Sequence, residues 1–218
     1  PVSSLNYDRM NHNATILLDG SIFVASGESD ATGTCLPVTV PERLKTQEVF
    51  HDGMKPWVPL ASQTIGRAYH SVQGLLRDGR VVVAGGTGGL GPNGPGHTIE
   101  YFSPPYMFGA RPEIKVAPSV LNYGSTYDVY VQLAGLPSSG SAPDRVALIR
   151  AGSSTHAWDS GQRYVELEFT DLGGEPDYTN YHLQIMLEAD SPNGPGAYMM
   201  PPGYYFLTVV DSNDRPSE

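Results

Sequence analysis

The 218-residue sequence has a single cysteine, Cys35, and few positive charges. One thiol excludes an internal disulfide and any zinc or iron–sulfur site built mainly from cysteines. The 13 Lys and Arg residues are outnumbered by 23 Asp and Glu residues, which gives a formal net charge of −10. Such a surface repels phosphate backbones and argues against a nucleic-acid partner. No apolar run approaches the roughly 18 residues of a membrane-spanning helix, so no transmembrane segment is expected.

Glycine and proline are abundant, with 25 and 19 residues respectively. Both residues disfavour long helices and favour tight turns. With 39% hydrophobic and 17% charged residues, the chain is nevertheless apolar enough to fold. This composition predicts an all-β protein in which many short strands are joined by turns.

Two segments of the chain, residues 9–27 and 67–86, resemble each other. Each contains an Arg, a His three residues later, an Asp-Gly pair and a final apolar run that ends in Gly. The Asp-Gly pairs predict two β-hairpins, and a third strand is expected after each hairpin, at residues 46–50 and 98–102. Strand sets that recur about every 50–60 residues are typical of β-propeller blades. Residues 1–110 are therefore predicted to form propeller blades.

Two blades cannot close a propeller, which normally has about four to eight, so the earlier blades are expected upstream of Pro1. The repeat stops near residue 110. Short strand-like runs follow, separated by Gly, Pro, Ser and Asp: 113–116, 126–133, 145–150, 164–169, 181–187 and 204–210. This spacing predicts an immunoglobulin-like β-sandwich over residues 111–218. The predicted fold is thus all-β, with the last blades of a kelch-type β-propeller followed by a sandwich domain.

The repeat is an internal control for candidate functional residues. Asn11-His12 in the first copy corresponds to Tyr69-His70 in the second. The repeated Arg, His and Asp-Gly are interpreted as architecture, so His12 is assigned a structural role. The repeat does not require Tyr69, whose phenol could bind one metal ion together with the imidazole of His70. Neighbouring side chains of a regular strand point to opposite faces, so both can reach one ion only where the backbone bends.

A third candidate, His156, lies between the predicted strands at 146–150 and 163–169. The connecting loop is longer than a minimal hairpin needs, and a histidine near its tip can be delivered to another domain. The residues by themselves leave His156 open between an ordinary surface side chain and a metal ligand.

Other residues are assigned no function from the sequence. The sequon Asn13-Ala14-Thr15 overlaps a strand that should be buried, so glycosylation is not predicted there. Trp57 and Trp158 are predicted to be packing residues. The histidines outside the repeat are interpreted as surface residues because none has a partner at ligand spacing: His51, His97 and His182.

Several motifs together resemble the copper radical oxidases, the family of galactose oxidase and glyoxal oxidase. Tyr69-His70-Ser71 and the Asp-Gly hairpin after it are similar to the last blade of that family's seven-bladed propeller. Residues 101–106 and Arg111-Pro112 continue the likeness. Residues 148–156 and 202–205 resemble the C-terminal sandwich domain. The resemblance covers essentially the whole chain and keeps the family's order.

The resemblance implies a mononuclear copper site with Tyr69, His70 and His156 as ligands and Tyr69 as the catalytic base. The implied reaction oxidises a primary alcohol or an aldehyde and reduces O₂ to H₂O₂. The family's radical tyrosine and its cross-linked cysteine have no counterpart at the matching positions, and Cys35 is assigned no redox role. Both are expected in an upstream propeller polypeptide, which would be a required partner.

The same resemblance implies a small alcohol, aldehyde or carbohydrate substrate and an extracellular or cell-surface location. It identifies no substrate-binding residue in this chain. Two other functions stay open: a non-catalytic propeller–sandwich module that binds carbohydrate or protein, and a mononuclear metal enzyme without a radical. The combination of Tyr69 with His70 and His156 favours the oxidase.

Overall fold

The computed structural model describes residues 3–29, 36–44, 56–87, 97–133, 142–174, 180–188 and 196–217. Within these ranges the secondary structure is almost entirely strand, which confirms the all-β prediction. The α-helix found there is the single turn α1 (Gly196–Met199). No helix of the described part is therefore long and apolar enough to span a bilayer.

The chain divides into two units. Unit 1 comprises Pro1–Ser103 and Ala151–Gln162, and unit 2 comprises Pro104–Arg150 and Arg163–Glu218. The segment 151–162, which the sequence analysis included in the domain at 111–218, thus groups with the N-terminal strands. The division of the chain into blades at 1–110 and a separate domain at 111–218 stays a prediction.

Unit 1 is built from short antiparallel strands. In chain order they are β1 (Asn13–Ile16), β2 (Ile22–Ala25), β3 (Glu28–Ser29), β4 (Leu36–Pro37), β5 (Glu42–Leu44), β6 (Val58–Pro59), β7 (Ser71–Leu75), β8 (Val81–Gly85) and β9 (Ile99–Phe102). They form the sheets β1-β2-β5-β6 and β7-β8-β9 and the pair β3-β4. Each of the two larger sheets begins with one copy of the sequence repeat.

Both predicted Asp-Gly hairpins are present. In each turn the aspartate carboxylate accepts a hydrogen bond from the backbone N–H two residues later, at 3.1 Å for Asp19 and 3.0 Å for Asp78. Gly20 and Gly79 follow with φ angles of 79° and 90°. A side chain is disfavoured in this left-handed region, which explains the glycine in both turns.

In each of the two larger sheets, a buried arginine forms an ion pair with a glutamate of the third strand, β5 or β9. Arg9 pairs with Glu42 of β5 at 3.1 Å, and both side chains are fully buried. Arg67 pairs with Glu100 of β9 at 3.2 Å. The strand predicted at 98–102 is thus β9, whereas the segment predicted at 46–50 lies outside the described residues. These pairs support the interpretation of the repeated arginines as architecture.

Unit 2 contains seven strands in the part that the structure describes. They are β10 (Glu113–Val116), β11 (Ser125–Gln132), β12 (Pro143–Arg150), β13 (Arg163–Leu167), β14 (Phe169–Gly174), β15 (Asn180–Leu187) and β16 (Tyr205–Asp211). They form two antiparallel sheets, β10-β11-β15-β14 and β13-β12-β16. Strand β14 was not predicted from the sequence, because four of its six residues are Thr, Asp and Gly and only pairing with β15 makes it a strand.

The core of unit 2 lies between these two sheets. Alternate residues of facing strands supply it, as expected for a sandwich with polar outer faces. Its buried members are Val129, Val131, Leu133, Val146, Leu148, Val165, Leu167, Leu183, Ile185, Leu187, Met200 and Val209. The predicted sandwich architecture is therefore present in the described residues.

Candidate metal centre

Tyr69 and His70 lie in a turn immediately before β7. Thr87 donates its backbone N–H to the Tyr69 carbonyl at 2.7 Å, and Ser71 donates to the carbonyl of Ala68 at 3.4 Å. His70 has a φ of 68°, in the left-handed region that residues with a Cβ rarely adopt. The two rings lie against each other at an interplanar angle of 31°, with centroids 4.0 Å apart. The backbone bend that a shared metal ion requires is thus present.

The first copy of the repeat takes a different backbone path at the same place. Its positive φ, 56°, falls on Asn11, the counterpart of Tyr69 rather than of His70. His12 is half-buried, and its Nδ1 is enclosed without a hydrogen-bond partner among the described residues. Burial, followed by the charge of Arg9, lowers the pKa of His12. His70, in contrast, is exposed. This difference supports a structural role for His12.

His156 lies in a four-residue turn that closes on itself. The backbone N–H of Thr155 donates to the Trp158 carbonyl at 2.9 Å, and the N–H of Trp158 donates back at 2.8 Å. His156 and Ala157 have φ angles of 52° and 59°, as the central residues of a type I′ turn do. The Thr155 hydroxyl oxygen lies 2.7 Å from His156 Nδ1. When Nδ1 donates its proton to this oxygen, Nε2 keeps a free lone pair.

The three predicted ligands come together in unit 1. The ring centroid of His156 lies 5.0 Å from that of His70 and 6.1 Å from that of Tyr69. Imidazoles that share one first-row metal ion at bonds of about 2 Å have ring centres roughly 4–6 Å apart. Two imidazoles and a phenol are also the nitrogen and oxygen donors that suit Cu(II). The donor types and the separations of the ring centres are therefore compatible with one shared copper ion.

The phenol of Tyr69 is the third donor of this set. In the described part of the chain, no group of three or more His, Cys, Asp and Glu side chains is arranged to hold a metal. The present cluster contains only two such residues, with Tyr69 as the third donor. The Tyr69 side chain is 37% exposed, so a ligand can reach it from solvent.

The segment that carries His156 is anchored on β1. Gln162 donates its side-chain amide to the Ala14 carbonyl at 2.9 Å and accepts the Ile16 backbone N–H at 2.7 Å. Since β1 is the edge strand of its sheet, these backbone groups point away from β2. Gln162 thus forms hydrogen bonds with backbone groups of β1 that would otherwise need a further neighbouring strand as their partner. This role of Gln162 was not predicted from the sequence, because a single polar residue facing a sheet edge leaves no periodic pattern.

The remaining histidines lie outside the cluster where they are described. His97 is exposed, as predicted. His182 lies in β15, where it forms a 2.9 Å contact with Asp128 and stacks on Tyr130 with ring centroids 4.4 Å apart. His51, like Cys35, lies outside the described residues.

The two tryptophans have different environments. Trp57 is 8% exposed, and its indole N–H donates to the Ser3 carbonyl at 3.0 Å, which confirms its prediction as a packing residue. Trp158 is 69% exposed, so the same prediction is wrong for it. Trp158 closes the His156 turn and is not part of a strand that faces a core.

Comparisons with known proteins identify the family of the C-terminal half. Residues 111–218 match the model of the early set domain of galactose oxidase-like proteins. Residues 111–218 belong to this family. Because the galactose oxidase-like early set domain is immunoglobulin-like, the match also confirms the predicted sandwich type.

Individual relatives extend the likeness over the whole chain. Galactose oxidase of Gibberella zeae is 29% identical over 216 residues, which cover 99% of this chain and 29% of that protein. Aldehyde oxidase GLOX of Vitis pseudoreticulata is 34% identical over 164 residues, which cover 71% of this chain and 29% of that protein. The chain therefore spans less than a third of these relatives. The resemblance to galactose and glyoxal oxidases is confirmed.

A solved structure shows the same likeness in three dimensions. It is described as a novel fungal alcohol oxidase with catalytic diversity among the AA5 family, in complex with copper. The match has a TM-score of 0.73 and 25% sequence identity, and it covers 99% of this chain and 42% of that structure.

Proposed function

We propose that this chain is part of a copper-dependent oxidase that oxidises a primary alcohol or an aldehyde and reduces O₂ to H₂O₂. The observation that carries the proposal is the meeting of the Tyr69, His70 and His156 rings, with centroids 4.0–6.1 Å apart. Relatives named galactose oxidase and aldehyde oxidase support it, as does the similarity to an alcohol oxidase in complex with copper.

His70 and His156 would hold the ion through imidazole nitrogens, and Tyr69 would add its phenol oxygen. Bound copper supplies the one-electron redox chemistry that these side chains lack. The Thr155 hydroxyl would hold His156 in the tautomer whose Nε2 is free, since it lies against Nδ1.

Tyr69 would act as the general base. Its oxygen would accept the hydroxyl proton of the substrate, and its partial exposure leaves room for a small alcohol, aldehyde or carbohydrate to approach. For a primary alcohol, the overall reaction is RCH₂OH + O₂ → RCHO + H₂O₂. Two electrons and two protons leave the substrate and arrive on O₂.

The rest of the catalytic assembly is proposed to lie upstream of this chain. Residues 1–110 would be the last kelch-type blades of a seven-bladed propeller, and the two sheets with equivalent Arg–Glu pairs, each with a buried arginine, support this assignment. The earlier blades would carry the radical tyrosine and its cross-linked cysteine. The resemblance to galactose and glyoxal oxidases also suggests an extracellular or cell-surface location.

Copper titration of the natural protein that contains this chain tests the site. We expect one Cu(II) per chain, with nitrogen hyperfine coupling from two imidazoles in electron paramagnetic resonance spectra. His156→Ala should remove one of these nitrogens and weaken binding, whereas the control His182→Ala should change neither. A chain without stoichiometric Cu(II), or an unchanged spectrum in His156→Ala, would overturn the proposal and favour a non-catalytic binding module.

The role of Tyr69 as a base is tested in the natural protein that contains this chain. Tyr69→Phe should keep copper bound through the two imidazoles and lower kcat about 10²- to 10⁴-fold, because the proton acceptor is lost. The control Tyr204→Phe, at an exposed position in unit 2, should keep the wild-type rate. Alcohol oxidation at the wild-type rate by copper-loaded Tyr69→Phe would contradict the assignment.

A further inference from the structure

A buried asparagine connects the two turns that carry His70 and His156. Asn13, at the start of β1, is 3% exposed. Its amide nitrogen donates to Ser71 Oγ at 2.7 Å and to the Ser71 carbonyl at 3.2 Å. Its amide oxygen accepts a hydrogen bond from Ser154 Oγ at 2.9 Å. Ser71 directly follows His70, and Ser154 precedes His156 by two residues.

We propose that Asn13 is a positioning residue that couples the two histidine turns through its side-chain amide. The proposal rests on the copper site proposed above and deepens it. A planar amide with donors on one side and an acceptor on the other fixes the separation of the groups it bridges. Since an unpaired amide in a buried position is costly, both serines are held to it. The histidines next to them are thereby held at a set spacing.

Gln162, the second anchor of the insert Ala151–Gln162 that carries His156, does not replace this link. Gln162, which bonds to β1, lies six residues after His156 and directly before the start of β13. Ser154 lies much closer to the histidine along the chain. Ordering the tip of this 12-residue segment costs conformational entropy. A contact close to His156 along the chain restricts the position of its imidazole most directly.

The same contacts account for the sequon at Asn13. A glycan would have to be attached to the amide nitrogen, which is buried and already donates two hydrogen bonds to Ser71. In the folded chain, Asn13 is therefore engaged in a structural link, and the burial predicted for this position is present.

Gln73 provides a matched control. Its amide donates to Thr15 Oγ1 at 2.7 Å and joins β7 to β1 across the same 58-residue separation as the bond between Asn13 and Ser71. Gln73 is also buried, at 5% exposure. Gln73→Ala thus removes a comparable bond between the same two strands and leaves the link to Ser154 in place.

The first measurement uses the natural protein that contains this chain, in its metal-free form. The backbone N–H groups of Thr155 and Trp158 close the His156 turn, so their hydrogen exchange reports its opening. We expect exchange at least about tenfold faster in Asn13→Ala and unchanged in Gln73→Ala. Equal acceleration in both variants, or none in Asn13→Ala, would overturn the positioning role.

The second measurement is the Cu(II) dissociation constant of the same variants. Asn13→Ala should raise it about 10- to 100-fold, the usual effect of losing a group that orients a metal ligand, and Gln73→Ala should leave it unchanged. A wild-type value in copper-binding Asn13→Ala would refute the coupling. If the wild-type chain binds no copper, the proposed function fails, and hydrogen exchange alone decides the positioning role.

Ser154→Ala keeps the test decisive should Asn13→Ala not fold, because it removes only the bond to the insert. It should accelerate exchange at Thr155 and Trp158 in the wild-type background. In the Asn13→Ala background it should add nothing, since the bond is already lost. Unchanged exchange in the wild-type background, or additive effects of the two substitutions, would contradict the proposal.

Discussion

Single residues at the candidate site adopt backbone conformations that side chains normally avoid. His70, His156 and Ala157 have φ angles of 68°, 52° and 59°. The left-handed region costs a residue with a Cβ roughly 1–2 kcal/mol. Such strain persists where the surrounding structure over-determines it, often at functional sites. Here the positive φ angles of His70 and His156 place the two residues in turns, where their imidazoles lie near each other.

Replacing Ala157 by glycine should relieve part of this strain. We expect Ala157→Gly to raise the free energy of unfolding by roughly 0.5–1 kcal/mol, measured by urea denaturation, because glycine adopts positive φ freely. Ala151→Gly, in the same segment but without positive φ, should lower stability slightly. Equal destabilisation by both substitutions would show that position 157 is not strained.

His12 should make stability depend on pH. Burial, followed by Arg9, lowers its pKa below the ordinary value of 6.5, so the unfolded chain binds the proton more readily than the folded chain. The stability that neutral His12 contributes is complete above pH about 6.5 and is lost as the pH falls through the folded-state pKa. His12→Gln should flatten this decline in urea unfolding between pH 8 and pH 5. His97→Gln, at an exposed position, should keep the wild-type slope.

At the level of elements, a buried ion pair holds β5 to the hairpin β1–β2. Arg9 and Glu42 are fully buried, and Glu42 also accepts hydrogen bonds from the backbone and side-chain N–H groups of Asn6. Removing one partner of a buried pair leaves an uncompensated charge. The pair therefore makes the third strand of this sheet sensitive to a single substitution.

Glu42→Gln should lower the free energy of unfolding by about 3–5 kcal/mol, because the guanidinium of Arg9 stays buried without its counter-charge. The matched surface variant is Asp78→Asn, which breaks the exposed pair with Arg80 and should cost about 1 kcal/mol or less. Guanidinium chloride unfolding measures both. Similar losses in the two variants would contradict the importance of burial.

At the scale of the whole molecule, one histidine of the candidate centre comes from far along the chain. His156 lies in an insert between β12 and β13, strands of unit 2 that pair at Arg150 and Arg163. The insert itself groups with unit 1. A metal ion held by Tyr69, His70 and His156 would therefore favour the folded arrangement of segments that are distant in sequence.

Copper should stabilise the folded chain by mass action. Free Cu(II) at one hundred times its dissociation constant should raise the free energy of unfolding by about 2.7 kcal/mol, and a chelator should reverse the effect. His156→Ala should lose most of this gain at the same copper concentration. A gain of the same size in that variant would show that copper stabilises the chain from another site.

Local sequence patterns predicted much of the strand structure and singled out Tyr69 and His70, whereas the resemblance to the copper radical oxidases implied His156 as a ligand. Asp-Gly pairs define the hairpins because their chemistry acts within a few residues. The prediction failed at β14, where pairing with β15 overrides low strand propensity, and at Trp158, whose exposure depends on its turn.

The sequence by itself predicted the hairpins and the strand-rich composition and marked Tyr69 and His70 as neighbouring candidate donors, because these features depend on residues close together in the chain. Only the tertiary structure decided which side chains meet. The links from Asn13 to Ser154 and from Ala14 to Gln162 span 141 and 148 residues. Contacts over such separations depend on how whole strands pack, and packing leaves no local pattern in the sequence.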